Sequence, residues 1–263
     1  MESEFPAVRG WGAVLEPALV LDAAAVSIAG PRPDNQDAAL ASPRLLAVAD
    51  GVGGNVGGAV AATLVLEALE QVGPTDLVAG VAAASTRLGA AVAGAPELKG
   101  MATTLTAVAL VDAHLVLGHV GDCRAYLLRD GDLRQLTHDQ TVVQSLVDAG
   151  VLSEEQARTH PLRSVVLGAL HGVDDDLSHL DLARIPARPG DRVLVCSDGL
   201  SGVVRRDLLA RVLGEETQPE SAARRLVRDA LVAGTQDNVT AVVADVRPAQ
   251  GYSGSFPAGP PTS

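Results

Sequence analysis

The stretch that most constrains this chain is Leu45 to Gly58, LLAVADGVGGNVGG. An apolar run from Leu45 to Ala49 stops at a single carboxylate, Asp50, and glycines follow at 51, 53, 54, 57 and 58. A short apolar run bounded by turn residues reads as a buried strand, not a helix. Asp50 is then held at a strand tip. The glycines let the backbone turn tightly and bring a carbonyl close to whatever Asp50 binds. From Ala59 onward, AVAATLVLEALEQV reads as a helix. A carboxylate at a strand tip beside bare backbone is a cradle for a hard cation. Asp-Gly is also an ordinary turn, so this stretch alone supports either reading.

Period and punctuation outline the rest. Residues 23–29 read as a first strand ending at Gly30-Pro31, and 44–49 as the strand that carries Asp50. Helices are expected at 57–72 and 76–94, the second capped at Thr75 or Asp76. Strands are expected at 103–111, 115–120, 124–129 and 133–137, with Asp130-Gly131 marking a hairpin turn. Helical stretches follow at 139–149 and 153–158, with Ser153-x-x-Gln156 as a capping box. Strands at 178–185, 192–196 and 239–246 and helices at 205–213 and 219–233 complete the outline. Strands come in groups and helices in pairs, which predicts an α+β layered fold and not a doubly wound sheet.

The 263 residues suffice for one large domain, and no linker-like break divides them. Apolar residues make up 47% but aromatics only 2%, so the core must be built from Ala, Val and Leu. Lysine occurs once, at Lys99, while arginine is common, a bias of GC-rich and typically bacterial genomes. A net charge of -12 argues against nucleic acid or anionic membrane as partner. The N-terminus lacks a basic start and an apolar signal core, and no 18-residue uncharged apolar span appears, so a cytoplasmic protein is expected. Cys123 and Cys196 read as small buried thiols. Residues 1–22 read as a leader of uncertain order, 23–247 as the folded domain, and 248–263, rich in Pro, Gly and Ser, as a flexible tail.

Four further acids share the setting of Asp50. Asp37 closes Gly30-Pro-Arg-Pro-Asp-Asn-Gln-Asp37 after the first strand. Asp122 follows Leu117-Gly-His-Val-Gly121, Asp198 ends Val193-Leu-Val-Cys-Ser-Asp198, and Asp237 precedes the last strand. Neither His nor Cys accompanies them systematically. Oxygen ligands of this kind suit Mg²⁺ or Mn²⁺ and not zinc. Crowded carboxylates repel one another, so a pair of cations is needed to neutralise them. Two such ions can share a water and clamp the oxygens of a phosphoryl group during in-line displacement. Arg32 supplies a guanidinium fork for the phosphate.

In order, the motifs are Arg32-Pro-Asp-Asn-Gln-Asp37, Ala49-Asp-Gly-Val-Gly-Gly54, Met101-Ala-Thr-Thr104, Gly121-Asp-Cys-Arg124, Leu136-Thr-His-Asp139, Ser197-Asp-Gly-Leu200 and Gln236-Asp-Asn-Val-Thr240. The series resembles the metal-dependent Ser/Thr protein phosphatases of the PPM family, type 2C, in their compact bacterial form. It covers about residues 24 to 246. The resemblance implies a four-layer αββα sandwich, with two central antiparallel β-sheets flanked by helix pairs. It implies that Asp50 bridges two Mn²⁺ or Mg²⁺ ions, that Asp198 and Asp237 complete the first, and that the Gly51 carbonyl helps hold the second. Asp37 serves the second ion, directly or through its waters, and Asp122 matches the ligand of a third, weaker site. Arg32 matches the phosphate-binding arginine, and about 141–164 matches the mobile flap that governs substrate choice.

The activity so implied is hydrolysis of phosphoserine and phosphothreonine in proteins by metal-bound water, with no phosphoenzyme. A bacterial Ser/Thr kinase and its targets are the implied partners, and a monomer is expected. Val52 stands where many eukaryotic relatives carry a histidine proposed as general acid. Asn55 replaces a frequent His, Gln36 a frequent Glu, and Cys123 the usual Ser. His138, His160 and His171 are assigned surface or packing roles. The alternative is a catalytically silent module of the same fold that binds a phosphoprotein. Its signature is loss of metal ligands, whereas Asp50, Asp198 and Asp237 are all present. A metal phosphoesterase for small molecules is a third reading, which turnover on a nucleotide against a phosphopeptide would separate.

Overall fold

The computed structural model of the chain describes residues 18–52 and 57–249. Its strands are β1 (Leu19–Ile28), β2 (Asp37–Ala41), β3 (Leu45–Val52), β4 (Ala102–Thr103), β5 (Leu105–Val111), β6 (His114–Val120), β7 (Arg124–Arg129), β8 (Asp132–Gln135), β9 (Asp181–Pro186), β10 (Arg192–Cys196) and β11 (Val239–Pro248). Its α-helices are α1 (Gly57–Val72), α2 (Leu77–Gly94), α3 (Val142–Asp148), α4 (Glu154–Thr159), α5 (Asp198–Ser201), α6 (Arg206–Glu215) and α7 (Pro219–Val232). One antiparallel sheet runs β1-β11-β10-β7-β8, and the other runs β2-β3-β5-β6-β9 with β4 added to β3.

The apolar runs of the sequence are continuous because the two sheets stack and each is covered on its outer face. Along β3, Leu45, Ala47 and Ala49 enter the core under α1 and α2, while Leu46 and Val48 enter the core between the sheets. Along β10, Val193 and Val195 face the other sheet, and Leu194 and Cys196 face α6 and α7. Period-two alternation thus sends every residue of a central strand into one of two cores. The result is an αββα sandwich. Among the described residues, α2 is the helix long and apolar enough by length and composition to cross a membrane. In the fold its Leu77, Val81, Ala84 and Leu88 pack into the helix–sheet core beside α1, and Asp76 caps its first turn.

Several boundaries differ from the sequence expectation. Residues 19–22, assigned to the leader, form the first part of β1, paired with β11 as far as Pro248. Residues 1–17, most of the tail at 250–263 and Asn55 lie outside the described residues. The strand expected at 103–111 is broken at Thr104, where β4 pairs with Gly51–Val52 and β5 pairs with Leu45–Val48. The helix expected at 139–149 is confined to α3 because residues 139–141 are extended and Thr141 caps it. The strand expected at 178–185 begins at Asp181, after a short 3-10 turn at Asp176–His179. The strand β2 and the four-residue α5 are too short to show a period.

Candidate active site

Strand ends bring the acids together. Asp37 opens β2 and sits opposite Asp50 near the end of β3. Asp198 follows β10, Asp237 precedes β11, and Asp122 lies in the β6–β7 connection, all at one end of the sandwich. A cleft of about 270 Å³ opens there, lined by Arg32, Asp50, Gly51, Asp122, Asp198 and Asp237. Asp37 lies behind this lining. Val52 and the flap residues Ser164 and Val166 close other sides.

Backbone contact explains the glycines. A Cβ on Gly51 would lie 2.4 Å from the Gly58 carbonyl, so the β3 tip and the start of α1 touch through bare main chain. A Cβ on Gly199 would lie 1.9 Å from the Asn238 carbonyl, which seats Asp198 against the Asp237 loop.

Hydrogen bonds from other motifs hold the acids. The Thr104 amide donates to the Asp50 carbonyl at 2.9 Å, as does the Thr103 hydroxyl at 2.9 Å, and the Asp50 amide donates to Thr104 Oγ1 at 3.2 Å. The Ser197 and Thr240 hydroxyls each donate to Asp37 Oδ2 at 2.7 Å. Asn238 staples the Arg32 loop. Its Nδ2 donates to the Ala29 and Asp34 carbonyls at 2.9 and 2.8 Å, and its Oδ1 accepts from the Gln36 amide at 2.9 Å. Arg32 reaches over the cleft to Asp237 Oδ2 and the Gln236 carbonyl, both at 2.9 Å. Two motifs meet where Arg124 forks onto Asp139, its Nη2 donating to Oδ2 at 2.6 Å. None of these positioning roles was visible in the sequence, apart from the presence of the motifs themselves.

The acids are under electrostatic strain. Burial, opposed by the two hydroxyl bonds, pushes the Asp37 carboxyl up to about 6, with repulsion from Asp198 and Asp237 adding to it. Burial and then Asp237 push Asp198 up to about 6. Burial, then Asp198 and Asp139, push Asp122 up to about 8 against the pull of Arg124. Asp50 is driven well above the usual carboxylate range, first by burial and then by Asp37, Asp198 and Asp122. Burial likewise keeps the Cys123 thiol neutral. Among the described residues, no three of these side chains have closed to ligand spacing. Arg32 occupies Asp237.

The donor set fits divalent cations. All the side-chain donors are oxygens, as Mg²⁺ and Mn²⁺ prefer. Asp37 Oδ1 is buried without a hydrogen-bond partner, which is costly unless a cation or its water completes it. His138 bonds to Asp148 at 2.8 Å and His171 Nδ1 bonds to the Ala169 carbonyl at 3.0 Å; neither lines the cleft.

Known proteins similar to this chain are phosphatases. The family model described as Protein phosphatase 2C matches residues 32–234. The Ser/Thr protein phosphatase PstP of Mycobacterium tuberculosis is 45% identical over 223 residues, 82% of this chain and 43% of that protein. The chain therefore spans less than half the length of that curated relative. The crystal structure of M. tuberculosis PstP superposes with a TM-score of 0.82 at 43% identity, covering 87% of this chain and 99% of that one. The PstP catalytic domain in complex with two manganese ions gives 0.79 at 42% identity, covering 88% of this chain and 100% of that one. With the family model matching most of the chain and the solved structures sharing its fold, the chain belongs to the protein phosphatase 2C family.

Proposed function

We propose that the chain is a Mn²⁺- or Mg²⁺-dependent phosphatase that hydrolyses phosphoserine and phosphothreonine in proteins. The observation that carries this reading is the gathering of Asp50, Asp122, Asp198 and Asp237 around one cleft, with Asp37 behind them opposite Asp50 and a guanidinium at the lip. When bound, a pair of divalent cations neutralises these carboxylates and lowers the pKa of water at the phosphate.

Asp50 would bridge the pair, Asp198 and Asp237 would complete one ion, and the Gly51 carbonyl with Asp37 would hold the other. Asp122 would take a third, weaker ion. Arg32 is half exposed and, among the described residues, is held by the Asp237 carboxylate and the Gln236 carbonyl, so it can exchange Asp237 for a phosphoryl group. Asn238 holds the Arg32 loop in reach of Asp237. Ser164 and Val166 place the flap against the site, where it can sort the peptide around the phosphorylated residue. Phosphorylated proteins are the substrate class, and a bacterial Ser/Thr kinase with its targets is the fitting source of them.

The test is phosphate release from a phosphothreonine peptide and from a nucleoside monophosphate in EDTA, Mg²⁺ and Mn²⁺. Release from the peptide that requires Mn²⁺ or Mg²⁺ is expected. Metal-independent release, preference for the nucleotide, or no release from folded protein would overturn the reading.

A further inference from the structure

Gln140 lies outside the cleft lining, yet its hydrogen bonds tie together three segments of the fold. Its amide donates to the Gly121 carbonyl at 2.7 Å, and its Oε1 accepts from the Gly121 amide at 2.9 Å. Gly121, at φ +110, directly precedes Asp122. Gln140 Nε2 donates to the His179 carbonyl at 2.8 Å and to Asp181 Oδ2 at 2.9 Å, at the head of β9. Its carbonyl accepts from the Leu167 amide at 2.7 Å, and a Cβ on Gly168 would strike its Oε1 at 1.9 Å. The flap leaves the body at Thr141 and returns at Val166, and these two residues pair. One residue therefore sits at both ends of the flap and brackets the peptide that carries Asp122.

The amide has only one orientation that works. A backbone N–H must meet an acceptor, and a carbonyl and a carboxylate must meet donors. No carboxylate or aliphatic side chain can satisfy all three partners.

We infer that Gln140 is a positioning residue that sets the Asp122 turn and clasps the flap root, so that flap placement and Asp122 placement are fixed together. The inference rests on the phosphatase reading for its kinetic part and on geometry alone for the rest. Partners of this kind behind a ligand are worth roughly 10- to 100-fold in metal affinity or activity.

The experiment uses the full chain and three variants: Gln140→Ala, Gln140→Glu, and Gln140→Glu combined with Asp181→Asn. Hydrogen exchange at the Gly121 amide is followed by NMR in EDTA, and phosphate release is followed against Mn²⁺ concentration. Both single variants should exchange the Gly121 amide faster and need roughly tenfold more Mn²⁺ for half-maximal rate. Gln140→Glu should be the worse, because it sets an oxygen against His179 O and the Asp181 carboxylate. Adding Asp181→Asn gives that oxygen a donor and should recover part of the loss, which a mere packing defect would not show. Unchanged Gly121 exchange in both single variants overturns the inference, as does a double variant no better than Gln140→Glu. Wild-type protein that releases no phosphate overturns the functional reading instead, and Gly121 exchange still decides the geometric inference.

Discussion

At Asp37, one carboxylate oxygen takes hydroxyl hydrogen bonds from Ser197 and Thr240 while the other is enclosed with none. Folding favours the neutral form of this acid, since its carboxyl is raised from 3.8 to about 6. A raised pKa means that the folded state binds the proton more tightly than the unfolded state. The stabilisation is complete below the unfolded value and is lost as pH rises through the folded value. Asp198 behaves alike to about 6, and Asp122 to about 8. Protein stripped with EDTA should therefore be more stable at pH 6 than at pH 8. Asp37 and Asp198 lose most of their share between about pH 4 and 6, so the fall from pH 6 to 8 belongs mainly to Asp122, roughly 2 kcal/mol at about 1.4 kcal/mol per pKa unit. Asp122→Asn should flatten the upper part of the profile. Urea midpoints at pH 6, 7 and 8 check this, and equal midpoints would count against the strained cluster.

Among the elements, the loop between β1 and β2 is stapled at three backbone groups by the side chain of Asn238, just before β11. Asn238 satisfies the Ala29 and Asp34 carbonyls and the Gln36 amide. Asn238→Ala leaves those groups without their partner, a loss of about 1–3 kcal/mol. It also frees Arg32 to wander, so KM for phosphopeptide should rise several-fold with a smaller change in kcat. An unchanged KM would show that the loop is held in some other way. This element also shows where sequence reading ends. Asp50 was legible because its strand and its glycines are contiguous, and β3, α1, α2, β6, β7 and β10 were legible from unbroken apolar runs. The hydroxyls that hold Asp37 come from positions 160 and 203 residues away, and nothing local marks them as partners. The strand β2 was missed because DAALA is short and its partner strand, not its own pattern, makes it a strand. Gln140 was passed over for the same reason, since its contacts are set only when β6, the flap root and β9 meet.

For the whole molecule, the carboxylate cleft is a local source of instability that a bound cation would relieve. A ligand that binds only the folded state, at a hundredfold excess over Kd, adds about 2.7 kcal/mol. For a domain of this size that is a rise in Tm of about 5–10 °C. Mn²⁺ added to stripped protein should produce such a shift, and Asp50→Asn should abolish it. An equal shift in the variant, read by calorimetry, would remove Asp50 from the metal site. The pairing of β1 with β11 has a consequence of another kind. Ile28 pairs with Val239 beside the cleft, whereas Leu19 pairs with Pro248 at the far end, where the Ala249 amide donates to the Ala18 carbonyl at 2.6 Å. The two ends of the described chain therefore leave side by side, about 30 Å of strand away from the acids. Both points at which further polypeptide joins the described chain, Ala18 and Ala249, therefore stand at the pole opposite the chemistry, so a partner engaged through either end would meet a face that the substrate does not use.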